Sequence, residues 1–186
     1  KKCYSSTNNL SMVFVVVGHN GAGKTTFLRI LCGLIPATSG EVDFTIDGQV
    51  LSVKEKRAHI GLVSPDLELY GELSAVENLE FFAGVRDVPF TLQRARELLE
   101  FVGLTGRGRD LLSTYSSGMK QRMKYAYALL HKPHILVLDE PTANLDEEGV
   151  AMVDTIICQQ RAQGIVIMAT NEQREVAYGD QTFALV

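Results

Sequence analysis

The chain has 186 residues, 46% hydrophobic and 22% charged, and a formal net charge of -4. These values fit one soluble globular domain and disfavour a protein that coats nucleic acid, because such a protein needs a basic surface. No apolar run approaches the about 18 residues that cross a bilayer, and the N-terminal segment lacks the apolar stretch of a signal peptide. Three scattered cysteines predict neither a disulfide framework nor a metal cluster. They favour a reducing cytoplasm, with Cys32 and Cys158 as small buried residues.

Three short apolar runs predict the strands of a buried parallel sheet. They are Val13–Val17, Ile135–Leu138 and Ile165–Met168, and none of them alternates apolar with polar residues. Strands covered by helices on both faces have this pattern. Because helical stretches lie between the runs, the predicted fold class is α/β.

Several helices are predicted from apolar stripes at helical spacing and from residues that are typical of helix ends. Ser74–Glu77 matches a capping box and opens a helix that Gly84 could close, and Thr91–Val102 carries an apolar stripe opposite its charges. Another helix is predicted from a stripe of Met119, Met123, Ala126, Tyr127 and Leu130. Gly164 is expected to end a helix that begins near Glu147.

These patterns predict that residues 1–186 form a single domain with a helical insertion. Residues 1–64 and 132–186 hold the predicted strands and are assigned to an α/β core. Residues 65–131 carry several helical patterns and no convincing strand, so they are assigned to the insertion.

The loop "GHNGAGKTT", residues 18–26, is a complete Walker A pattern between a predicted strand and a predicted helix. Its glycines let backbone N–H groups converge on an anion, and the helix starting near Lys24 adds the positive end of its dipole. Lys24 can reach the β- and γ-phosphates, and the Thr25 hydroxyl can ligate Mg²⁺. The predicted nucleotide-binding residues of the loop are Gly18, His19, Asn20, Gly21, Ala22, Gly23, Lys24, Thr25 and Thr26. The alternative, a glycine-rich turn with an exposed lysine, is disfavoured by the number of matched positions.

Two adjacent acids, Asp139 and Glu140, end the apolar run "ILVLDE". Carboxylates at the tip of a buried strand are costly unless they meet a cation or hydrogen-bond donors. Asp139 is therefore predicted to hold Mg²⁺ with Thr25, and Glu140 to orient and deprotonate an attacking water. Taken alone, the segment could also be two solvated acids that open a loop.

A second anion site is predicted in "YSSGMKQR", residues 115–122, where Ser116, Ser117 and Gly118 stand at the start of the next helix. The loop at residues 18–26 already wraps the phosphates of one nucleotide. The second site therefore needs another ligand or another copy of the protein. A serine N-cap alone would also account for the sequence.

The segment "YSSGMKQR" resembles the "LSGGQ" signature of the ABC ATPases, and the order of the other motifs is similar to theirs over nearly the whole chain. That order is Walker A, helical insertion, signature, Walker B "ILVLDEP" and then "ANLD". The resemblance implies a P-loop NTPase core with a mixed or parallel sheet, an N-terminal antiparallel β portion and a helical signature subdomain.

The same resemblance implies a head-to-tail dimer that encloses ATP. One copy would supply the signature residues Ser116, Ser117, Gly118 and Met119, and the other the loop at residues 18–26. Asp146 of "ANLD" matches the D-loop acid near this interface. Tyr4 lies where the family places an aromatic residue that stacks on adenine, although it could also pack on the sheet.

The function implied by the resemblance is an ATP-hydrolysing subunit that powers export across a membrane, with Glu140, Lys24 and Asn171 as catalytic residues. Its cofactors would be ATP and Mg²⁺. Its partners would be a second copy or a paralogous ATPase subunit, together with transmembrane permease domains, and no nucleic acid. The chain would lie in the cytoplasm, on the membrane face, and touch the membrane only through the permease.

A permease would dock on residues 65–82, where Leu69, Tyr70 and Leu73 are candidates for exposed apolar residues. These three could equally be core contacts of the insertion.

Two other functions remain open. One is a soluble ABC protein of DNA or ribosomes, which the acidic balance and short length disfavour. The other is an ATP-dependent switch with little hydrolysis.

Three positions depart from the family pattern. Asn171 stands where the family has a switch histidine, and an amide can donate a hydrogen bond but carries no positive charge, so slowed hydrolysis is predicted. Asn171 could also cap the helix that begins in "EQREV". Pro65, flanked by Ser64 and Asp66, replaces the Q-loop glutamine. Finally, Tyr4 lies closer to Gly18 than the family pattern has it, which predicts a shortened hairpin or missing residues there. The ending "QTFALV" comes earlier than in the family, which predicts that a C-terminal tail is missing.

Overall fold

The computed structural model describes residues 11–46 and 49–185, so the predicted adenine contact, Tyr4, lies outside the described residues. The elements are β1 (Met12–Val17), α1 (Lys24–Leu31), β2 (Thr45–Ile46), β3 (Gln49–Val50), α2 (Val53–His59), β4 (Ile60–Val63), α3 (Ala75–Val85), α4 (Leu92–Phe101), a 3₁₀ turn (Leu112–Thr114), α5 (Ser117–Leu129), β5 (Ile135–Asp139), α6 (Glu147–Arg161), β6 (Ile165–Thr170), α7 (Gln173–Val176) and β7 (Gln181–Ala184).

The main sheet has five strands in the order β4-β5-β6-β1-β7, and every neighbouring pair is parallel. The three apolar runs of the sequence form its central strands, which confirms the predicted α/β fold. Among the described strands, β2 and β3 form a separate antiparallel pair. The flanking strands β4 and β7 were not predicted, because each has only four residues and β7 has no buried residue that would give it an apolar pattern.

The predicted helix boundaries agree with the structure to within a few residues. Ser74 and Glu77 form the capping box of α3, which runs one residue past Gly84. Thr91 caps α4, and Asp146 caps α6 by accepting a hydrogen bond from the Gly149 N–H. Sequence reasoning missed α2, although Ser52 and Glu55 make a second capping box there. The boundaries of the insertion at residues 65 and 131 stay a prediction.

A continuous core joins the sheet to α3, α4 and α5. One cluster of buried residues includes Val13 and Leu136 of the sheet together with Leu79, Leu98 and Met123 of the helices. The buried stripe of α5 consists of Gln121, Met123, Tyr125, Ala126 and Ala128, whereas Met119 and Tyr127 of the predicted stripe are half-buried. The helices 65–131 therefore pack as part of the same hydrophobic core.

Within the described residues, no helix combines the length and apolar character that a membrane span requires.

Cys32 is a buried free thiol, as predicted, and burial raises its pKa to about 12. Cys158, which was also predicted to be buried, is half-buried.

Two glycines test the packing between α5 and the sheet. A Cβ on Gly61 of β4 would lie 2.4 Å from the Ala128 carbonyl oxygen, whereas a Cβ on Gly84 of α3 would meet nothing within 4 Å. We expect Gly61→Ala to lower the free energy of unfolding by about 1–3 kcal/mol through overpacking. We expect Gly84→Ala to raise it by up to about 1 kcal/mol. Urea unfolding followed by circular dichroism measures both, and equal effects at the two positions would contradict the packing.

Candidate functional site

The parallel register brings the predicted site residues to one edge of the sheet. Val17 of β1 pairs with Thr170 of β6, and Asp139 of β5 pairs with Ala169 of β6. The residues that follow each strand therefore leave the sheet at the same level. They are the glycine loop (residues 18–26), Glu140 and Asn171.

The glycine loop is closed by its own lysine. Lys24 is buried, and its Nζ donates hydrogen bonds to the carbonyl oxygens of Gly18 (2.8 Å) and His19 (3.1 Å). Gly21 and Gly23 have φ values of 87° and 90°, which favour glycine. The N-cap of α1 is Gly23, and no side chain caps this helix, unlike α3, α4, α5 and α6. The first N–H groups of α1 thus face the loop without a side-chain acceptor, which suits an anion.

Asp139 and Thr25 meet at the start of α1. The Thr25 hydroxyl donates to Asp139 Oδ2 at 2.7 Å, and Asp139 is only 2% exposed. Burial raises the pKa of Asp139, and the Thr25 bond opposes that rise. Mg²⁺ prefers oxygen ligands and is commonly bound by one or two protein groups together with nucleotide phosphates. A buried carboxylate beside a hydroxyl supplies such ligands. The two residues therefore fit the predicted metal role.

Glu140 is exposed at the sheet edge and has a positive φ of 49°. Its N–H donates to the Ala169 carbonyl oxygen at 3.0 Å, and its own carbonyl oxygen accepts from the Ala143 N–H at 3.1 Å. The strand thus turns sharply after Asp139, which separates the two acids into a buried one and an exposed one. The roles of Asp139 as metal ligand and of Glu140 as base stay predictions.

Asn171 lies against the glycine loop. Its side-chain amide donates to Asn20 Oδ1, and both residues are exposed. The N-cap of α7 is Glu172, with no side-chain cap, so the interpretation of Asn171 as a helix cap is wrong. Asn171, His19 and Gly18 line one cavity of about 560 Å³ at this edge.

The segment around Pro65 lies beside the Thr25–Asp139 pair. Ser64 and Asp66 line a cavity of about 240 Å³ that Thr25 and Asp139 also line. Two cations fix the segment, and sequence reasoning missed both. Lys124 of α5 donates to the carbonyl oxygens of Ser64 (3.0 Å) and Pro65 (2.8 Å), and Arg29 of α1 pairs with Asp66. Only the structure reveals these contacts, because they join distant parts of the chain.

The signature residues lie at the N-terminus of α5. Ser116 Oγ accepts from the Met119 N–H at 3.2 Å, so the N-cap interpretation is confirmed, while anion binding stays a prediction. Ser116 and Ser117 are exposed, and a Cβ on Gly118 would lie 3.2 Å from the Asn144 carbonyl oxygen. Among the described residues, no hydrogen bond joins residues 116–119 to the glycine loop of the same chain.

Asp146 ties the signature helix to the loop after β5. Its Oδ1 accepts from Arg122 of α5 at 2.6 Å and from the Gly149 N–H at 2.8 Å. The Gly149 bond first, and then Arg122, lower the pKa of Asp146. The predicted D-loop acid therefore has a structural role within its own chain.

A family model described as "ABC transporter" matches residues 4–143. The chain belongs to the ABC transporter family. It is 36% identical over 166 residues to the linearmycin resistance ATP-binding protein of Bacillus subtilis, covering 87% of this chain and 53% of that protein. It is 39% identical over 145 residues to the bacitracin transport ATP-binding protein of Bacillus licheniformis, covering 78% and 47%.

A third relative is the lantibiotic transport ATP-binding protein of Streptococcus pyogenes, 34% identical over 180 residues, with 92% of this chain and 76% of that protein covered. The chain thus spans about half the length of the linearmycin and bacitracin relatives. Among solved structures, an ATP-binding subunit of an ABC transporter superposes with a TM-score of 0.81 at 25% identity, covering 94% of this chain and 75% of that one. A dimeric ATP-binding cassette with ADP and phosphate gives a TM-score of 0.83 at 24% identity, covering 97% and 83%, and supports the fold alone.

The position of Asn171 generates a prediction about the rate of ATP hydrolysis. Its amide is engaged by Asn20 and carries no charge. We expect Asn171→His to raise the rate about tenfold or more, since one transition-state donor is typically worth about 10²–10³-fold. Phosphate release measures the rate. Asn171→Ala is the control and should not exceed the wild-type rate. Unchanged turnover in Asn171→His would contradict a role for this position.

Proposed function

We propose that the chain is the ATP-binding and ATP-hydrolysing subunit of an ABC transporter that exports its substrate. One observation carries the proposal: the uncapped start of α1, the buried Asp139–Thr25 pair and the exposed Glu140 meet at one sheet edge. Relatives named for bacitracin transport, lantibiotic transport and linearmycin resistance favour export, because resistance is consistent with removal of a compound. The exported substrate would be recognised by a membrane subunit.

Binding begins at the glycine loop. The N–H groups of residues 21–26 and the dipole of α1 would receive the β- and γ-phosphates. Lys24 would exchange its bonds to the Gly18 and His19 carbonyl oxygens for bonds to phosphate oxygens, and its burial strengthens those bonds. Thr25 and Asp139 would hold Mg²⁺, which supplies positive charge at the phosphates when it is bound.

Hydrolysis would depend on Glu140 and Asn171. Glu140 is exposed at the edge where the phosphates would lie, so its carboxylate could orient an attacking water and accept a proton from it. Asn171 would donate one hydrogen bond near the γ-phosphate once its amide leaves Asn20. Because this donor is neutral, we expect a slow enzyme rather than an inactive one.

The signature residues favour a site shared by two copies. Ser117 is exposed at the positive end of α5, a helix of 13 residues, yet no described hydrogen bond connects residues 116–119 to their own glycine loop. A second copy, or a paralogous subunit, placed head to tail would bring these groups to the phosphates of the first. Ser117 Oγ and the Gly118 N–H would then act as donors that the loop itself lacks.

A surface around Tyr70 supports a membrane partner. Tyr70 and Phe81 are 48% and 43% exposed, with ring centroids 5.0 Å apart, and Val85, which lies on α3 with Phe81, is 67% exposed. Leu69 and Leu73 are half-buried, so only Tyr70 of the three predicted residues is exposed. Exposed aromatic groups next to the Pro65 segment suit a permease loop. The chain would then work on the cytoplasmic face of a membrane.

Two alternative functions are separated by their partners and turnover. Pro65 and Asn171 favour an ATP-dependent switch with little hydrolysis, which would bind Mg-ATP and release phosphate no faster than Glu140→Gln. A soluble ABC protein of DNA or ribosomes would co-purify with those particles rather than with membranes. The net charge of -4 disfavours this last function.

Trapping of ATP between two copies tests the proposal. Glu140→Gln keeps the shape of the side chain but removes the base, so ATP should remain bound and hold the pair closed. We expect this variant to be a monomer without nucleotide and a dimer with Mg-ATP, as measured by light scattering after gel filtration.

The matched control is Glu140→Gln combined with Gly118→Asp, which places a negative charge at the start of α5. This double variant should bind Mg-ATP and stay monomeric. Mg-ATP binding by Glu140→Gln without any pairing, with the membrane subunit supplied, would contradict the proposed sandwich.

A further inference from the structure

The turn after β5 is held by two buried side chains that the sequence motifs do not include. The Tyr125 hydroxyl donates to the Pro141 carbonyl oxygen at 2.7 Å. Glu175 Oε1 accepts from the Thr142 N–H at 3.1 Å and also from the Thr142 hydroxyl. Pro141 and Thr142 directly follow Glu140, so both contacts act on the backbone that carries its side chain.

The backbone N–H and carbonyl groups around Glu140 all make hydrogen bonds. The Glu140 N–H is bonded to Ala169 and its carbonyl oxygen to the Ala143 N–H. Pro141 has no N–H, and its carbonyl oxygen is taken by Tyr125. Such complete pairing explains how a non-glycine residue keeps a positive φ of 49°, a conformation that persists only where its surroundings over-determine it.

Tyr125 and Glu175 are suited to a fixed position. Tyr125 is fully buried and Glu175 is 1% exposed. Burial raises the pKa of Tyr125 well above its usual value, so the hydroxyl keeps its proton and remains a donor. Among the described residues, Glu175 Oε2 has no hydrogen-bond partner, so the bonds of this carboxylate are directed to Thr142 alone.

The two side chains come from the elements that carry the other site groups. Tyr125 lies on α5, the helix that begins with the signature residues, and Glu175 lies on α7, four residues after Asn171. Both elements therefore contact the turn that presents Glu140. A displacement of either one would move the carboxylate.

We propose that Tyr125 and Glu175 are positioning residues that hold the backbone of Glu140 in its left-handed conformation and so keep its carboxylate at the reacting edge. This inference rests on the proposed function of Glu140 as the base. Both residues are buried behind the turn and would not touch the nucleotide, so they would act on the rate of hydrolysis and not on the affinity for ATP.

The test compares variants that each delete a buried hydrogen bond. Tyr125→Phe removes only the hydroxyl, and Glu175→Met removes both acceptor oxygens at nearly constant length. Glu175→Gln keeps one acceptor oxygen and serves as the conservative rescue. The matched control is Gln160→Met, which deletes the bond from the buried Gln160 Nε2 to the Pro133 carbonyl oxygen (2.9 Å) at the opposite end of β5.

We expect Tyr125→Phe and Glu175→Met to lower kcat by about ten- to a hundredfold with KM for ATP unchanged, as small misplacements of a reacting group do. Amide exchange of the peptide 140–146 should accelerate in both variants. Glu175→Gln should retain most of the wild-type kcat. Gln160→Met should lower Tm by a similar amount, with wild-type kcat and wild-type exchange in that peptide.

Wild-type kcat in Tyr125→Phe and Glu175→Met, with Tm lowered as in Gln160→Met, would overturn the inference. An equal loss of kcat in Gln160→Met would also overturn it, because general destabilisation would then be the cause. The variant Glu140→Gln distinguishes a failure of the proposed function from a failure of the positioning role. If Glu140→Gln hydrolyses ATP normally, the proposed function of Glu140 fails; if only Glu140→Gln is inactive, the positioning role alone fails.

Discussion

Parallel pairing of β1, β5 and β6 in register is the constraint on which the rest of the site depends. The register sets Val17 level with Thr170, and Asp139 level with Ala169. Chain segments that are far apart in sequence therefore leave the sheet together. A shift of one strand by one residue would turn Asp139 away from Thr25 and separate the buried acid from the helix start. The central strands are buried among apolar neighbours, so the core that stabilises the fold also fixes the geometry of the site.

Two residues of the loop after β5 have conformations that the chain adopts only under constraint. Glu140 and Asn144 have positive φ values without being glycine. Conformations of this kind cost about 1–3 kcal/mol each and persist where the surrounding contacts compensate. Around Glu140 the contacts come from Ala169 of β6, from Tyr125 of α5 and from Glu175 of α7. Helix α5 begins with the signature residues, and α7 closely follows Asn171. The helices of residues 65–131 are thus mechanically joined to the turn that presents Glu140, and movement of α5 would reach that turn through Tyr125 and the Arg122–Asp146 pair.

The sequence predicted what depends on local patterns. Unbroken apolar runs identified the three central strands, and serine, threonine and glycine positions identified most of the helix ends, because these signals act within a few residues. The glycine loop and the Asp139–Glu140 pair were likewise readable as motifs. The side chains that hold the loops of the site in place could not be predicted from the sequence. Lys124, Arg29, Tyr125 and Glu175 act across gaps of 16 to 60 residues, and nothing near them in sequence indicates their partners. The role of Asn171 as a helix cap was wrong because tertiary contact with Asn20 prevails over the local pattern.

We propose that one ATP is held by the glycine loop of one copy and the signature residues of another. A crystal structure of Glu140→Gln grown with Mg-ATP would show whether this is so. We expect a γ-phosphate that contacts Lys24 of one copy and both Ser117 and Gly118 of its partner, with the substituted side chain at position 140 and Asn171 at the same phosphate. A nucleotide bound to the loop with Ser117 and Gly118 facing solvent in every copy would contradict it.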